Sequence, residues 1–224
     1  RLNSAAWLEG FYYKPRIDFE LLSQCHEGLT ALTACIGGEV PARLLEGDDR
    51  AAAAALRRYL ELFGRERLYI ELQDHGMAEE KAVNPKLVGL ADEYGLGLVA
   101  TNDAHYLRKE HAPAHDVLLC IGTGKTLGDA NRMRFPGTEF YLKSPDEMAA
   151  LFAERPDALR NTLRIAEQCR LRLTLNDPMH NHYPVYQVPD GVSREQYLRS
   201  VCVEGVRERY GFDADSPSLD EPRR

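Results

Sequence analysis

Three apolar runs, each followed by a segment with helical periodicity, constrain the fold of this chain more than any other feature. The apolar runs are residues 28–35, 68–72 and 97–101. The periodic segments, which place apolar side chains three and four positions apart, are residues 48–63, 79–94 and about 110–121. Buried strands that alternate with amphipathic helices are typical of a parallel sheet. The sequence therefore predicts an α/β fold that forms half of a barrel or half of an open sheet.

The pattern changes after residue 121. Residues 122–143 are rich in glycine, polar and aromatic residues, which predicts an ordered surface loop with a short extended end. Residues 144–147 read Ser-Pro-Asp-Glu, a capping box with proline at the first helical position, so a helix begins there. A second helix is predicted at about 156–169, and a final helix is predicted to begin after a serine and glutamine cap at residues 193–196.

The domain organisation follows from these elements. Residues 1–172 are predicted to form one α/β domain, and residues 173–224 are predicted to form a linker and helix that lead towards another domain. The chain begins at Arg1 instead of a methionine and runs into a polar stretch from Asp213. We therefore expect it to be a piece of a longer protein.

Charge and composition exclude several classes of protein. The chain has 224 residues with 28 Lys and Arg against 35 Asp and Glu, a net charge of −7, which argues against a stand-alone nucleic-acid binder. No apolar run approaches the roughly 18 residues of a membrane span, and residues 1–7 lack the apolar core and cleavage site of a signal peptide. Five cysteines, with no Cys-x-x-Cys pair, argue against a disulfide framework or a zinc ribbon. We expect a cytoplasmic protein without a membrane partner.

Residues with metal-binding chemistry stand at the ends of the predicted strands. Cys35 closes the first run, Gln73-Asp74-His75 follows the second, and Asp103 and His105 follow the third. Loops at the carboxyl ends of parallel strands converge on one face, and strand residues two apart share a side. A carboxylate beside an imidazole suits Zn²⁺, Mn²⁺ or Fe²⁺. Packing roles stay open for all three side chains, with Asp103 as a cap, His105 as a rim histidine and Cys35 as a small hydrophobe.

Residues 122–126, Gly-Thr-Gly-Lys-Thr, end like a phosphate-binding loop. The full pattern requires a glycine where this chain has Leu119, and it follows a strand, whereas these residues follow a predicted helix. The sequence therefore predicts no nucleotide site of that kind here.

Six longer motifs, in this order and spacing, resemble bacterial DNA polymerase III alpha subunits. They are LEGFYYKPR at 8–16, TACIGGEV at 33–40, ELQDHG at 71–76, VATNDAHY at 99–106, HDVLLCI with GKT at 115–126, and NRMRF through FYLKS at 131–144. The resemblance covers nearly the whole chain, to about residue 210. The first and last of these motifs resemble the replicative form of the subunit more than its error-prone paralogue.

The resemblance implies a fold and a metal site. It places the chain in the later part of a polymerase and histidinol phosphatase (PHP) domain, a distorted (β/α) barrel, followed by a helical connecting segment. Cys35, Asp103 and His105 match ligands of the family's metal cluster, which holds Zn or Mn, and Glu71 and His75 match residues that would support those ligands. The family's other ligands, including a His-x-His, belong to a segment before Arg1. The cluster serves either 3′→5′ exonuclease chemistry or a scaffold.

The resemblance also implies an activity and partners. The parent would be a DNA-directed DNA polymerase that uses deoxynucleoside triphosphates, with Mg²⁺ held by palm carboxylates beyond Arg224. Its expected partners are DNA, the sliding clamp, the clamp loader and a proofreading exonuclease. Two alternatives remain open, the error-prone paralogue and a stand-alone PHP-family phosphoesterase that acts on small phosphates.

Overall fold

The computed structural model describes residues 1–172, 174–175 and 183–214, and divides the chain into two units between Arg170 and Leu171. Residue 173, residues 176–182 and residues 215–224 lie outside the described part, so the predicted linker is described only in part. The predicted boundary at 172 stays a prediction.

The first unit alternates short strands with helices. Its strands are β1 (Ala31–Leu32), β2 (Leu68–Leu72) and β3 (Gly97–Ala100). Its helices are α1 (Leu2–Leu8), α2 (Phe19–Cys25), α3 (Glu39–Leu45), α4 (Asp49–Phe63), α5 (Ala78–Tyr94), α6 (Ala112–Thr123), α7 (Pro145–Leu151) and α8 (Pro156–Gln168), with a 3₁₀ turn at Lys109–His111. The second unit contains α9 (Arg194–Tyr210). None of the helices in the described residues is long and apolar enough to cross a membrane.

The strands form a three-stranded parallel sheet in the order β1-β2-β3. Ala31 pairs with Leu68, and Tyr69 pairs with Gly97. All five residues of the central strand β2 are buried, as expected for a parallel strand covered on both faces. The predicted α/β class is confirmed at this level, whereas closure into a barrel stays a prediction.

The core lies between this sheet and its helices. Its largest fully buried side chains, contributed by the sheet and by α3, α4 and α5, are Val40, Leu56, Leu68, Ile70, Val83, Leu98 and Val99. Helix α8 packs on the edge strand β3, where the Asn161 side-chain amide donates a hydrogen bond to the Leu98 carbonyl at 2.7 Å. Gly97 permits the close packing of β3 against the Tyr69 side chain of β2, because a Cβ at this position would lie 2.8 Å from the Tyr69 ring.

The first strand is much shorter than the sequence predicted. Only Ala31–Leu32 is a strand, and residues 33–38 leave the sheet in a turn that places Ala34 in the left-handed region at φ 65°. The backbone N–H of Gly38 donates to the Cys35 carbonyl at 2.8 Å, and α3 begins directly afterwards. Cys35 therefore lies in a turn three residues beyond the strand instead of closing it. Helices α1, α2 and α3 were not predicted.

Several capping predictions are confirmed. Ser144 and Glu147 form the capping box of α7, and Ser193 and Gln196 form that of α9. Gly124, in the left-handed conformation, ends α6, so the Gly-Lys-Thr sequence lies at the carboxyl end of a helix. The prediction that these residues follow a helix is confirmed, whereas phosphate-binding loops precede the amino end of a helix.

Candidate metal-ligand site at the carboxyl edge of the sheet

The loops that leave the carboxyl ends of the three parallel strands carry the predicted site residues. Cys35 lies in the turn after β1, His75 follows β2, and Asp103 and His105 follow β3. Glu71 lies inside β2 itself. The loops at one edge of the sheet therefore carry four of the five residues, as the alternation of strands and helices predicts, and Glu71 lies one residue before the end of its strand.

His75 joins two of these loops through a buried network. Its Nδ1 lies 2.6 Å from Glu80 Oε1, and its backbone N–H donates to Glu80 Oε2 at 2.6 Å. Its Nε2 accepts a hydrogen bond from the backbone N–H of Asp103 at 3.2 Å. This pattern requires the proton on Nδ1. Because both ring nitrogens are engaged, His75 fixes the Asp103 backbone and offers no free lone pair to a cation.

Glu80 is the acceptor that holds His75 in place. Burial opposes its ionisation, but the hydrogen bonds from the His75 ring and backbone outweigh burial and lower the pKa of Glu80. The resulting carboxylate also accepts from the backbone N–H of Met77 at 3.3 Å, at the start of α5. Sequence reasoning missed Glu80. Its position three residues after the Met77 cap, where a glutamate commonly turns back to the helix start, was the available signal.

Asp103 and His105 lie side by side. The distance from His105 Nε2 to Asp103 Oδ1 is 3.3 Å, and both side chains are partly exposed. The backbone N–H of His105 donates to the Phe140 carbonyl at 2.7 Å, and Tyr106 pairs with Tyr141 in a parallel bridge. The extended end of the 122–143 loop thus holds this segment from the outside. The pair presents a carboxylate and an imidazole that suit a divalent cation.

Glu71 and Cys35 line a different space. The buried Glu71 carboxylate accepts from the Thr101 hydroxyl and from the Gln73 amide, the latter at 3.3 Å. Together with the exposed Cys35, Glu71 and Gln73 line a cleft of about 10 Å³, about the space of one water. Thr101 was also missed by sequence reasoning, because nothing in its local sequence marks it as a partner of a residue 30 positions away.

The predicted ligands are therefore brought together only in part. Within residues 1–172, 174–175 and 183–214, no three His, Cys, Asp or Glu side chains form a group that could hold a metal ion. Asp103 and His105 lie together, and Cys35 lines the cleft that contains Glu71. His75 is hydrogen-bonded to the Asp103 backbone. The described residues alone do not complete a metal site, and the assignment of Cys35, Asp103 and His105 as ligands stays a prediction.

Comparison with known proteins shows what this segment is similar to. Residues 1–75 match the PHP domain. The chain is 47% identical to DNA polymerase III subunit alpha of Treponema pallidum over 93% of its length and 46% identical to that of Thermus aquaticus over 94%. The subunit of Deinococcus radiodurans is 43% identical over 94%. The resemblance to DNA polymerase III alpha subunits is confirmed. The chain covers 18%, 17% and 16% of these relatives, less than a fifth of each.

The segment that aligns with a DNA polymerase III alpha subunit spans the positions of all the predicted site residues. The PHP match ends at His75, so it contains Cys35 and Glu71 but not Asp103 or His105. The alignment to the Treponema polymerase covers 93% of the chain, and a continuous stretch of that length includes residues 35 to 105. The two loops that form the candidate site therefore belong to one segment shared with these polymerases.

Proposed function

We propose that this chain is a segment of a bacterial replicative DNA polymerase III alpha subunit, a DNA-directed DNA polymerase. The observation that carries the proposal is 47% identity over 93% of the chain. Polymerisation from deoxynucleoside triphosphates, with Mg²⁺, belongs to parts of the protein outside these 224 residues. Those parts also contact the DNA, the sliding clamp, the clamp loader and the proofreading exonuclease. Such an enzyme acts in the bacterial cytoplasm, where the chromosome is replicated.

Within that enzyme the segment contributes one side of a PHP metal site. The three strands described here would continue into a distorted (β/α) barrel, with Asp103, His105 and Cys35 at its rim. A Zn²⁺ or Mn²⁺ ion held there would act as a Lewis acid for 3′→5′ phosphodiester hydrolysis. The Asp103–His105 proximity of 3.3 Å supports this assignment, as does the anchoring of the Asp103 backbone by His75. Asp103 and His105 would bind the cation, and His75 with Glu80 would keep Asp103 in position.

The full-length protein that contains this segment tests both parts of the proposal. Purified protein should extend a primed DNA template. Asp103→Asn keeps the size of the side chain but removes its anionic oxygen, so metal-dependent 3′→5′ hydrolysis should fall at least about tenfold while primer extension changes little. Asp92→Asn, an exposed substitution on α5 with the same change of charge, is the control.

Other results would assign the segment differently. If Asp103→Asn lowers the melting temperature and primer extension together, the metal site is a scaffold, because metal binding is coupled to folding. A full-length protein that hydrolyses small phosphates but extends no primer would be a PHP-family phosphoesterase. In that case the proposal of a polymerase would be wrong.

A further inference from the structure

A second cleft, which we call the α6 cleft, lies between α6 and the loop that follows it. Its volume is about 330 Å³, within the range of pockets that hold small ligands. The charged and aromatic side chains that line it, counting histidine among the aromatic ones, are Tyr106, His115, Asp116, Arg132, Arg134 and Phe135. None of these residues is among the predicted metal ligands.

An ion pair forms one wall of the α6 cleft. Arg132 Nη1 and Nη2 contact the two oxygens of Asp116 at 2.5 and 2.6 Å, and the Arg132 side chain is only 5% exposed. This bidentate geometry neutralises the guanidinium and fixes its plane. Arg134 also lines the cleft, is exposed, and has no carboxylate within ion-pair distance in the described part of the chain. Arg134 therefore gives the mouth of the cleft a positive charge.

Two polar atoms of the cleft residues lack a hydrogen-bond partner. They are the Tyr106 hydroxyl oxygen and Arg132 Nε, and both are buried. Buried polar atoms in proteins are nearly always paired, because an unpaired one has lost its hydrogen bonds to water without replacement. Both atoms belong to residues that line one cleft, which points to this cleft as a place for a ligand with polar groups.

Aromatic rings connect the α6 cleft to the candidate metal site. The Phe135 ring centroid lies 4.4 Å from that of His105 and 5.0 Å from that of His115. The His115 ring lies 5.3 Å from the Tyr106 ring. A flat ligand against these rings would therefore lie next to His105, one of the two paired candidate ligands.

We infer that the α6 cleft binds one nucleotide of a single-stranded DNA, with the base against the aromatic side chains and a phosphate at Arg134. Stacking on aromatic rings beside a basic residue is how proteins hold single strands without reading their sequence. A free inorganic anion fits less well, because the buried cation of the cleft is already neutralised by Asp116. The choice of DNA rests on the proposed function, whereas the stacking chemistry rests on the cleft itself.

Fluorescence anisotropy of the 224-residue chain tests the inference at low salt. The probes are a 5′-labelled decamer of deoxythymidylate and a decamer of the same length whose sites are abasic. The normal decamer should bind at least about fivefold more tightly, the lower end of one base-stacking contact. Phe135→Leu should remove this preference, and Arg134→Gln should weaken binding of both decamers severalfold. Arg50→Gln, which removes an exposed charge from α4, should change neither.

Equal affinity for the two decamers would overturn the inference, as would an Arg50→Gln effect as large as that of Arg134→Gln. Arg134 is exposed, so its substitution is expected to leave the fold intact, and matching circular dichroism spectra would check this. If the full-length protein fails to extend primers but the 224-residue chain still prefers the normal decamer, the proposed polymerase function is wrong and the inference about the α6 cleft is supported. The reverse result would refute the cleft alone.

Discussion

Gly38 fixes the turn that carries Cys35. A Cβ at this position would lie 2.2 Å from the Thr33 carbonyl oxygen, a backbone atom that cannot move aside without opening the turn. We predict that Gly38→Ala lowers the free energy of unfolding by about 2 kcal/mol, a typical cost of overpacking. Urea denaturation followed by circular dichroism would measure the change.

Gly89→Ala is the matched control for this substitution. Gly89 lies inside α5, and a Cβ there meets no atom within 4 Å. Alanine favours helices over glycine by about 0.5–1 kcal/mol, so stability should stay the same or rise. If Gly38→Ala were as well tolerated as Gly89→Ala, the turn around Cys35 would differ from the one described.

A tyrosine–glutamate hydrogen bond supplies a prediction about pH. The Tyr141 hydroxyl donates to Glu147 Oε1 at 2.6 Å, and this bond lowers the pKa of Glu147 to about 2 and raises the pKa of Tyr141 to about 12. The lowered value means that the stability from Glu147 is present above its unfolded pKa of 4.5 and is lost as pH falls towards 2. The raised value means that the stability from Tyr141 is lost as pH rises from 10 to 12.

Carboxyl carbon NMR would follow the titration of Glu147. In Tyr141→Phe the pKa of Glu147 should rise, because its largest stabilising hydrogen bond is gone. Tyr59→Phe is the control, since the Tyr59 hydroxyl bonds to Glu39 at 2.8 Å in another part of the unit. A wild-type Glu147 that titrates near 4.5 would contradict the described contact.

At the scale of elements, α8 secures the edge of the sheet. The Asn161 side-chain amide donates a hydrogen bond to the Leu98 carbonyl of β3, and without it this carbonyl would lose that donor. Asn161→Ala should therefore lower the free energy of unfolding by about 1–2 kcal/mol. Arg160→Ala, an exposed change in the same helix, should cost less than about 0.5 kcal/mol. Equal urea midpoints for the two variants would show that the α8 contact does not support the strand.

For the molecule as a whole, the arrangement of the candidate ligands predicts weak metal binding by this chain alone. Asp103 and His105 lie together, but the described residues add no third ligand to them. Two protein ligands hold Zn²⁺ or Mn²⁺ poorly, because each must also displace protons and water. Elemental analysis after dialysis against either metal should find less than one metal ion per wild-type chain. The metal content of His105→Ala should be no lower. Two tightly held ions per chain would contradict this.

The sequence predicted most elements whose signals are local. Residues 68–72 were predicted as a strand and form β2, and residues 48–63 differ from α4 by one residue. Capping boxes and apolar periodicity act within a few residues, so they can be read without the fold. The first strand was overpredicted for the opposite reason. Residues 33–35, Thr-Ala-Cys, extend the apolar run and resemble a strand in sequence, but the turn around Gly38 leads them away from the sheet.

The sequence by itself placed metal-binding residue types at the strand ends and, through the six motifs, pointed to DNA polymerase III alpha subunits. Only the tertiary structure showed that the two ring nitrogens of His75 are hydrogen-bonded to Glu80 and to the Asp103 backbone. It also showed that Glu71 accepts a hydrogen bond from Thr101. These partners lie between 5 and 30 positions apart in the chain. Spacing along a strand or helix encodes which side chains share a face, but the pairing of separate loops depends on how the whole sheet packs.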